Sequence, residues 1–211
     1  HNGFVNINHE KMSKSLGNTV SLKDLLRRFH PEALKLYLMA SHYRAPFDFS
    51  DLAIDEAARG LDRMYRVLMA IPNRTSKAKV KTDVVERFEQ AMDEDFNTAK
   101  AVAALFDAVK EANRLAIKNE TIEEAIALRQ TIVRLGNLLG LLTQDPQHYF
   151  QSLPASEGLD RAKVETLIAK RHEARRQKDF KTGDKLRQEL ASLGVVVEDG
   201  ADGTTWRFQK S

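Results

Sequence analysis

Apolar residues recur at helical spacing through most of this chain and at strand spacing only near its two ends. Phe4, Val5 and Ile7 precede a polar stretch that closes at Gly17-Asn18, so residues 1–20 read as strand and loop. Ser21 is placed to cap a short helix with Leu22, Leu25, Leu26 and Phe29 on one face. His30-Pro31 restarts the chain, because proline suits the first helical position. Ala33, Leu34, Leu36, Tyr37, Leu38 and Met39 then continue as a mostly buried helix. Residues 41–50 are irregular and aromatic. Ser50 opens a long helix over 51–71, with Leu61, Met64, Tyr65, Leu68 and Met69 at helical spacing.

Residues 72–82 form a polar, basic linker and a first boundary. Helices are predicted at 83–95, 98–118 and 121–142. Val102, Leu105, Phe106, Val109, Ala112 and Leu115 make one stripe; Ile122, Ile126, Ile132, Val133, Leu135, Leu139 and Leu142 make another. Such stripes argue for antiparallel bundle packing, and core is the whole of their role. Residues 143–158 contain Pro146 and Pro154 and read as a second linker. Beyond it, helices are expected over 160–177 and 179–193, the second ended by Gly194. Val195-Val196-Val197, a turn with Gly200 and Gly203, and residues 204–208 complete a hairpin. A module this small is expected to dock on a neighbour or be ordered by its ligand. The fold class is therefore mainly α, with a helical bundle over 51–145, a linker over 146–159 and a small α+β module with a terminal hairpin over 160–211.

The 211 residues can bury a real core as one large domain or two modest ones. With 10 Gly and 5 Pro, helices are favoured over a loop-rich β architecture. The absence of Cys excludes disulfides and thiolate metal sites within this chain. No apolar run approaches the roughly twenty residues that cross a bilayer, and the start lacks a basic segment followed by an apolar one. A cytoplasmic location without a membrane partner is expected. Because the chain begins with His1, it is expected to be a piece of something longer, or to have had its start removed. The formal charge of +3 is compatible with nucleic acid, and its distribution says more. Lys11, Lys14, Lys23, Arg27 and Arg28 crowd the start; Arg171, Arg175, Arg176, Lys178, Lys181, Lys185 and Arg187 crowd the end. Basic ends around a neutral or acidic middle suit a long folded RNA that touches both.

Lys11-Met12-Ser13-Lys14-Ser15 carries the chemistry. Two lysines three apart, among small residues and followed by Leu16-Gly17-Asn18, make a cationic loop suited to a triphosphate. Its ammonium groups can approach the β and γ phosphates and neutralise the charge that develops as pyrophosphate leaves. Ser13 and Ser15 add hydroxyl donors. The protein supplies no nucleophile in such a reaction, because a substrate carboxylate attacks the α phosphate. On composition alone a short Lys/Ser loop also fits a solvated turn.

The literal KMSKS string matches the signature of class I aminoacyl-tRNA synthetases, and its surroundings resemble the cysteine-specific members. The resemblance runs through His1-Asn2-Gly3-Phe4-Val5, Leu16-Gly17-Asn18, Ser41-His42-Tyr43-Arg44-Ala45-Pro46, the segment from Met92 to Thr98, and Gly203-Thr204-Thr205-Trp206-Arg207. It covers the whole chain in order. It implies the carboxy-terminal half of a cysteine–tRNA ligase, which activates cysteine with ATP to cysteinyl-adenylate and then esterifies tRNA(Cys). Residues 1–50 would be the end of the catalytic domain, with the KMSKS loop and stem-contact region. Lys14 would contact ATP, with Lys11 as its auxiliary and Ser13 and Ser15 beside them. ATP is expected as its magnesium complex, and the protein as a monomer. The family's HIGH-type signature and its zinc belong upstream, so no metal site is assigned here and this segment alone is expected to be inactive. The six histidines show no metal-ligand spacing. Ala99 stands where the family usually has Pro after Asp95-Phe96-Asn97-Thr98, which leaves Asn97 or Thr98 free to cap the next helix. Asp93, Glu94 and Asp95 read as helix-end and solvent charges.

Unpaired RNA bases are recognised by stacking on aromatic or guanidinium planes and by hydrogen bonds along their edges. The resemblance points to Arg175, Phe180, Asp184 and Asp199 as anticodon residues: Arg175 and Asp184 as base-edge readers, Phe180 as a stacking platform and Asp199 as a second polar reader. Each has a plainer reading. Arg175 and Asp184 would pair across the helix junction, Phe180 would be core, and Trp206 suits packing better than base stacking. Three other readings are compatible with the motif: a tRNA-binding fragment without catalysis, an inactive helical scaffold that merely retains the motif, or a related ATP-dependent ligase joining cysteine to an amino sugar. An anticodon-type terminus argues against the last.

Overall fold

The computed structural model describes residues 3, 5–7, 10–12, 20–78, 82–152, 161–200 and 203–208. The chain divides into two compact units, His1–Pro146 and Gln147–Ser211.

The first unit opens on a small sheet of order β2-β1-β3, made of β1 (Val5–Ile7), β2 (Glu10–Lys11) and β3 (Phe47–Phe49). β1 pairs antiparallel with β2 and parallel with β3, where Val5 faces Phe47 and Ile7 faces Phe49. A parallel pair needs a long crossover, and α1 (Leu22–Arg28) and α2 (Pro31–Met39) supply it. Leu25, Phe29, Leu34, Tyr37 and Ile54 form the core beneath, with Phe47 and Phe49 packed against it. The Tyr37 hydroxyl donates to the Asp48 carbonyl at 2.8 Å and accepts the Ser50 amide at 3.1 Å, which ties the sheet to the start of α3 (Asp51–Ala70). The seven-residue α1 buries less than its spacing predicts, since Leu22 and Leu26 are exposed; so is Leu38 at the end of α2. Ser21 and Ser50 occupy the N-cap positions without making the side-chain cap bond.

α4 (Thr82–Asp93), α5 (Thr98–Ala116) and α6 (Ile122–Leu138) follow, with a short 3-10 turn at Asn119–Thr121 before α6. Short connections make them antiparallel neighbours. Val102, Leu105, Val109, Ala112 and Leu115 on α5 and Ile126, Ile132 and Leu135 on α6 are buried, as their stripes require. Asn97 caps α5 by accepting the Lys100 amide at 3.2 Å, so the Ala99 departure leaves the cap intact.

Two buried charges lock this unit. Glu32, only 2% exposed, accepts from the Tyr65 hydroxyl at 2.8 Å, the Leu142 amide at 2.8 Å and the Thr143 hydroxyl at 2.6 Å. It thereby joins α2, α3 and the chain beyond α6, where Gly140 and Leu142 adopt positive φ. Burial first, then the Glu32 charge, raises the Tyr65 phenol above its ordinary pKa. Arg129 on α6 donates to the Leu68 carbonyl at 3.0 Å and to Asn73 Oδ1 at 2.6 Å, closing the end of α3. Desolvation lowers its pKa, but arginine remains protonated.

The segment read as a second linker contains a helix, α7 (Pro146–Gln151), in which Tyr149 and Phe150 are buried edge to face at 5.1 Å. Pro146 starts this helix; a proline taken as a breaker is equally a favoured first helical residue. In the second unit, α8 (Arg161–Arg176) and α9 (Phe180–Ser192) pack on the hairpin β4 (Val195–Gly200) and β5 (Gly203–Phe208). Gly194, at φ +75°, ends α9 as expected. Val164, Leu167, Leu190, Val195, Val197 and Trp206 form the core. The chain is thus mainly α with a terminal hairpin.

Candidate functional site

The candidate chemistry lies in two places, one in each unit. Lys11 ends β2, with its backbone paired to Asn6 of β1. Ser13, Lys14 and Ser15 lie outside the described residues, so the structure gives the root of the cationic loop. That root hangs on β1, and β1 hangs on β3 and on residues 41–46. The Gly3 amide donates to the Tyr43 carbonyl at 2.9 Å, and a Cβ at Gly3 would lie 2.0 Å from the Ala45 oxygen. Only glycine fits this close backbone approach.

Residues 41–46 meet the turn between α4 and α5. Tyr43 donates its hydroxyl proton to Asp95 Oδ1 at 2.9 Å and accepts from Arg44 Nε at 2.8 Å. Arg44 also bridges both carboxylate oxygens, with Nη2 at 3.1 Å from Oδ1 and Nε at 3.0 Å from Oδ2. The hydrogen bond to Tyr43, followed by the Asp95 charge, raises the Arg44 pKa. His42 stacks on Tyr43 at 4.9 Å, with Nε2 3.9 Å from Asp95. Asp95 therefore has partners that its reading as a solvent charge did not foresee. The signal was present, because both segments were singled out as motifs, but nothing in either one says that they touch. Glu94 pairs with Lys100 at 2.6 Å on the surface.

In the second unit, α8 closes through Lys178 at φ +62°, and Asp179 caps α9 by accepting the Thr182 amide at 3.1 Å. Hydrogen bonding from Thr182 holds the Asp179 carboxyl below its usual range. Phe180 follows the cap directly and is 61% exposed, so it is surface rather than core. Asp184, one turn further on α9, is also exposed. Arg175 crosses toward α9 beside Gly183, where an added Cβ would meet its Cγ at 3.3 Å. The structure thus brings Arg175, Phe180 and Asp184 to one helix junction. Asp199 lies on a separate element, on β4 opposite Thr204 and next to the hairpin turn. Arg171, four residues before the exposed Arg175, is buried. Trp206 sits in the core and serves packing.

Among the described residues no group of three or more His, Asp or Glu could hold a metal ion, and no helix is long and apolar enough to cross a membrane.

Three family models match in succession. Residues 1–59 match the tRNA synthetases class I (C) catalytic domain, residues 87–143 the DALR domain, and residues 161–207 the cysteinyl-tRNA ligase anticodon binding domain. A cysteine–tRNA ligase of Methylococcus capsulatus is 45% identical over 210 residues, covering 98% of this chain and 45% of the relative. That of Tolumonas auensis is 41% identical over 207 residues, covering 98% of this chain and 44% of the relative. The chain therefore spans less than half the length of these curated relatives. The LeuRS of Agrobacterium radiobacter, solved in a ternary complex with tRNA and LeuAMS, superposes with a TM-score of 0.50 at 22% identity, covering 64% of this chain and 20% of that one. At that identity the likeness concerns fold alone.

Proposed function

The chain belongs to the cysteine–tRNA ligase family, and on that premise we propose that it carries such a ligase's nucleotide loop and its tRNA-reading parts. The whole protein activates cysteine: the cysteine carboxylate attacks the α phosphate of ATP, taken as its magnesium complex, and pyrophosphate leaves. Lys14 and Lys11 neutralise the charge that builds on the leaving phosphates, a contribution made in the transition state. Ser13 and Ser15 donate hydrogen bonds nearby. A terminal ribose hydroxyl of tRNA(Cys) then attacks the adenylate and releases AMP. We assign residues 1–50 to the end of the catalytic domain with its stem-contact region, 51–145 to the bundle, 146–159 to a connection and 160–211 to anticodon binding. The protein works as a cytoplasmic monomer, and this segment alone does not catalyse the reaction.

The observation that carries this reading is the exposed Arg175, Phe180 and Asp184 junction in the stretch that matches the anticodon-binding model. An exposed aromatic ring, a guanidinium-bearing residue and a carboxylate at one helix junction are the equipment for stacking a base and reading its edge. Asp199 is proposed as a second polar reader. A ligase joining cysteine to an amino sugar has no anticodon to read, so this junction favours the tRNA enzyme.

Gel-shift titration at fixed salt tests it, using tRNA(Cys) and the same tRNA with an altered anticodon. The chain is expected to prefer the first, and Phe180→Ala to reduce that preference. Equal affinity for both tRNAs would overturn the anticodon role.

A further inference from the structure

Asp95 and Phe96, consecutive and neither of them glycine, adopt φ of 54° and 52°. The left-handed region is unfavourable for an ordinary residue, and such strain persists only where the surroundings over-determine it. Part of the fixing is local: the Phe96 amide donates to the Met92 carbonyl and the Asn97 amide to the Ala91 carbonyl, both at 3.0 Å. These bonds close the α4–α5 turn through the backbone alone. The Asp95 carboxylate faces away from that task, toward Tyr43 and Arg44, about fifty residues earlier.

What Tyr43 and Arg44 hold is the backbone beneath the cationic loop. The Ala45 amide closes on the His42 carbonyl at 2.9 Å, and the Tyr43 carbonyl takes the Gly3 amide at 2.9 Å. From Gly3 the chain enters β1, whose antiparallel partner β2 ends on Lys11. β2 is only two residues long, so little in the strand itself fixes its position. Phe96 beside Asp95 is 67% exposed, so burial does not secure the turn.

We propose that Asp95 is a positioning residue for adenylate formation: its clasp on Tyr43 and Arg44 fixes the sheet edge from which Lys11 and the rest of the loop approach the triphosphate. The inference rests on the function proposed above for that loop. Asp95 touches no reacting atom and acts through the lysines. A displacement of about 1 Å at the lysines is enough to weaken stabilisation of the leaving pyrophosphate. The loss therefore falls on kcat more than on KM for ATP.

The test uses the full-length protein and cysteine-dependent ATP–pyrophosphate exchange. Asp95→Ala, Arg44→Ala and Tyr43→Phe are each combined with Lys14→Ala, and thermal unfolding is recorded for every variant. Asp95→Asn keeps the shape and tolerates positive φ, so it separates loss of charge from loss of the turn. Asp95→Ala is expected to lower kcat about tenfold with KM for ATP within twofold. Asp95→Asn should recover part of that loss, and Asp95→Ala should cost less than twofold once Lys14→Ala is present. Tyr43→Phe should lower kcat in the same direction without disturbing the turn. If the Asp95→Ala loss persists in full on the Lys14→Ala background, Asp95 does not act through the loop and the proposal falls. A fall in unfolding temperature with kcat unchanged overturns it equally. If Lys14→Ala alone leaves exchange unchanged, the functional reading beneath fails and the coupling fails with it.

Discussion

Glu32 shows how much one side chain can decide. Its two oxygens take a phenol, a backbone amide and a hydroxyl at 2.6–2.8 Å, and also the Thr143 amide at 3.2 Å. Each donor left unsatisfied in the interior costs about 1–3 kcal/mol. Glu32→Ala is expected to destabilise the first unit by at least about 3 kcal/mol, read by denaturant unfolding; a change below about 1 kcal/mol would mean that these groups find other partners. Nothing in the sequence flagged Glu32, because a glutamate after proline looks like an ordinary first-turn acid. Its role is set by residues 142–143, more than a hundred positions away. Arg175 belongs to the same scale. If it reads a base edge, Arg175→Ala in the full-length protein weakens tRNA charging by roughly 1–3 kcal/mol, measured as kcat/KM for tRNA. Equal charging by mutant and parent would remove that role. Phe180 was legible as a candidate, but only its exposure separates a platform from a core ring.

Among the elements, the helices were the legible part, because their apolar stripes repeat over several turns. Short pieces were not. β3 hid in residues 41–50, where Phe47 and Phe49 alternate over three positions only, and its parallel pairing with β1 is invisible without the crossover. α7 hid behind Pro146. The connection before α4 also has more order than its composition suggested. Arg74 pairs with Glu123 at the start of α6, the Lys77 amide donates to the same carboxylate at 3.0 Å, and the Ser76 hydroxyl donates to the Glu123 carbonyl at 2.7 Å. The Arg74 hydrogen bond, then that of Lys77, lowers the Glu123 pKa to about 2. A carboxyl depressed in the folded state stabilises above the ordinary glutamate value of about 4.3, and the contribution is lost as pH falls toward 2. Limited proteolysis with an acid-active protease should therefore leave residues 72–78 protected near pH 4 and cut them readily near pH 2. Glu123→Gln should bring that cleavage to higher pH; unaltered cleavage in this variant would contradict the strap.

At the scale of the whole molecule, the proposed nucleotide loop near one end of the sequence and the proposed base-reading junction near the other belong to two separate units, served by different residues. Their separation makes their failures separable. Loss at the loop should slow adenylate formation and spare tRNA affinity, and loss at Arg175 should do the reverse. The order of the parts was legible from motifs alone. The Asp95 clasp was not, because it joins two motifs through space. The most direct measurement is cysteine-dependent ATP–pyrophosphate exchange by the full-length protein and its Lys14→Ala variant, with tRNA affinity measured alongside. Robust exchange is expected in the parent, with a loss of at least about tenfold in the variant, as removal of a transition-state charge partner requires, and tRNA affinity within about twofold. Exchange that is absent from the parent, or indifferent to Lys14, would overturn the role proposed for the loop.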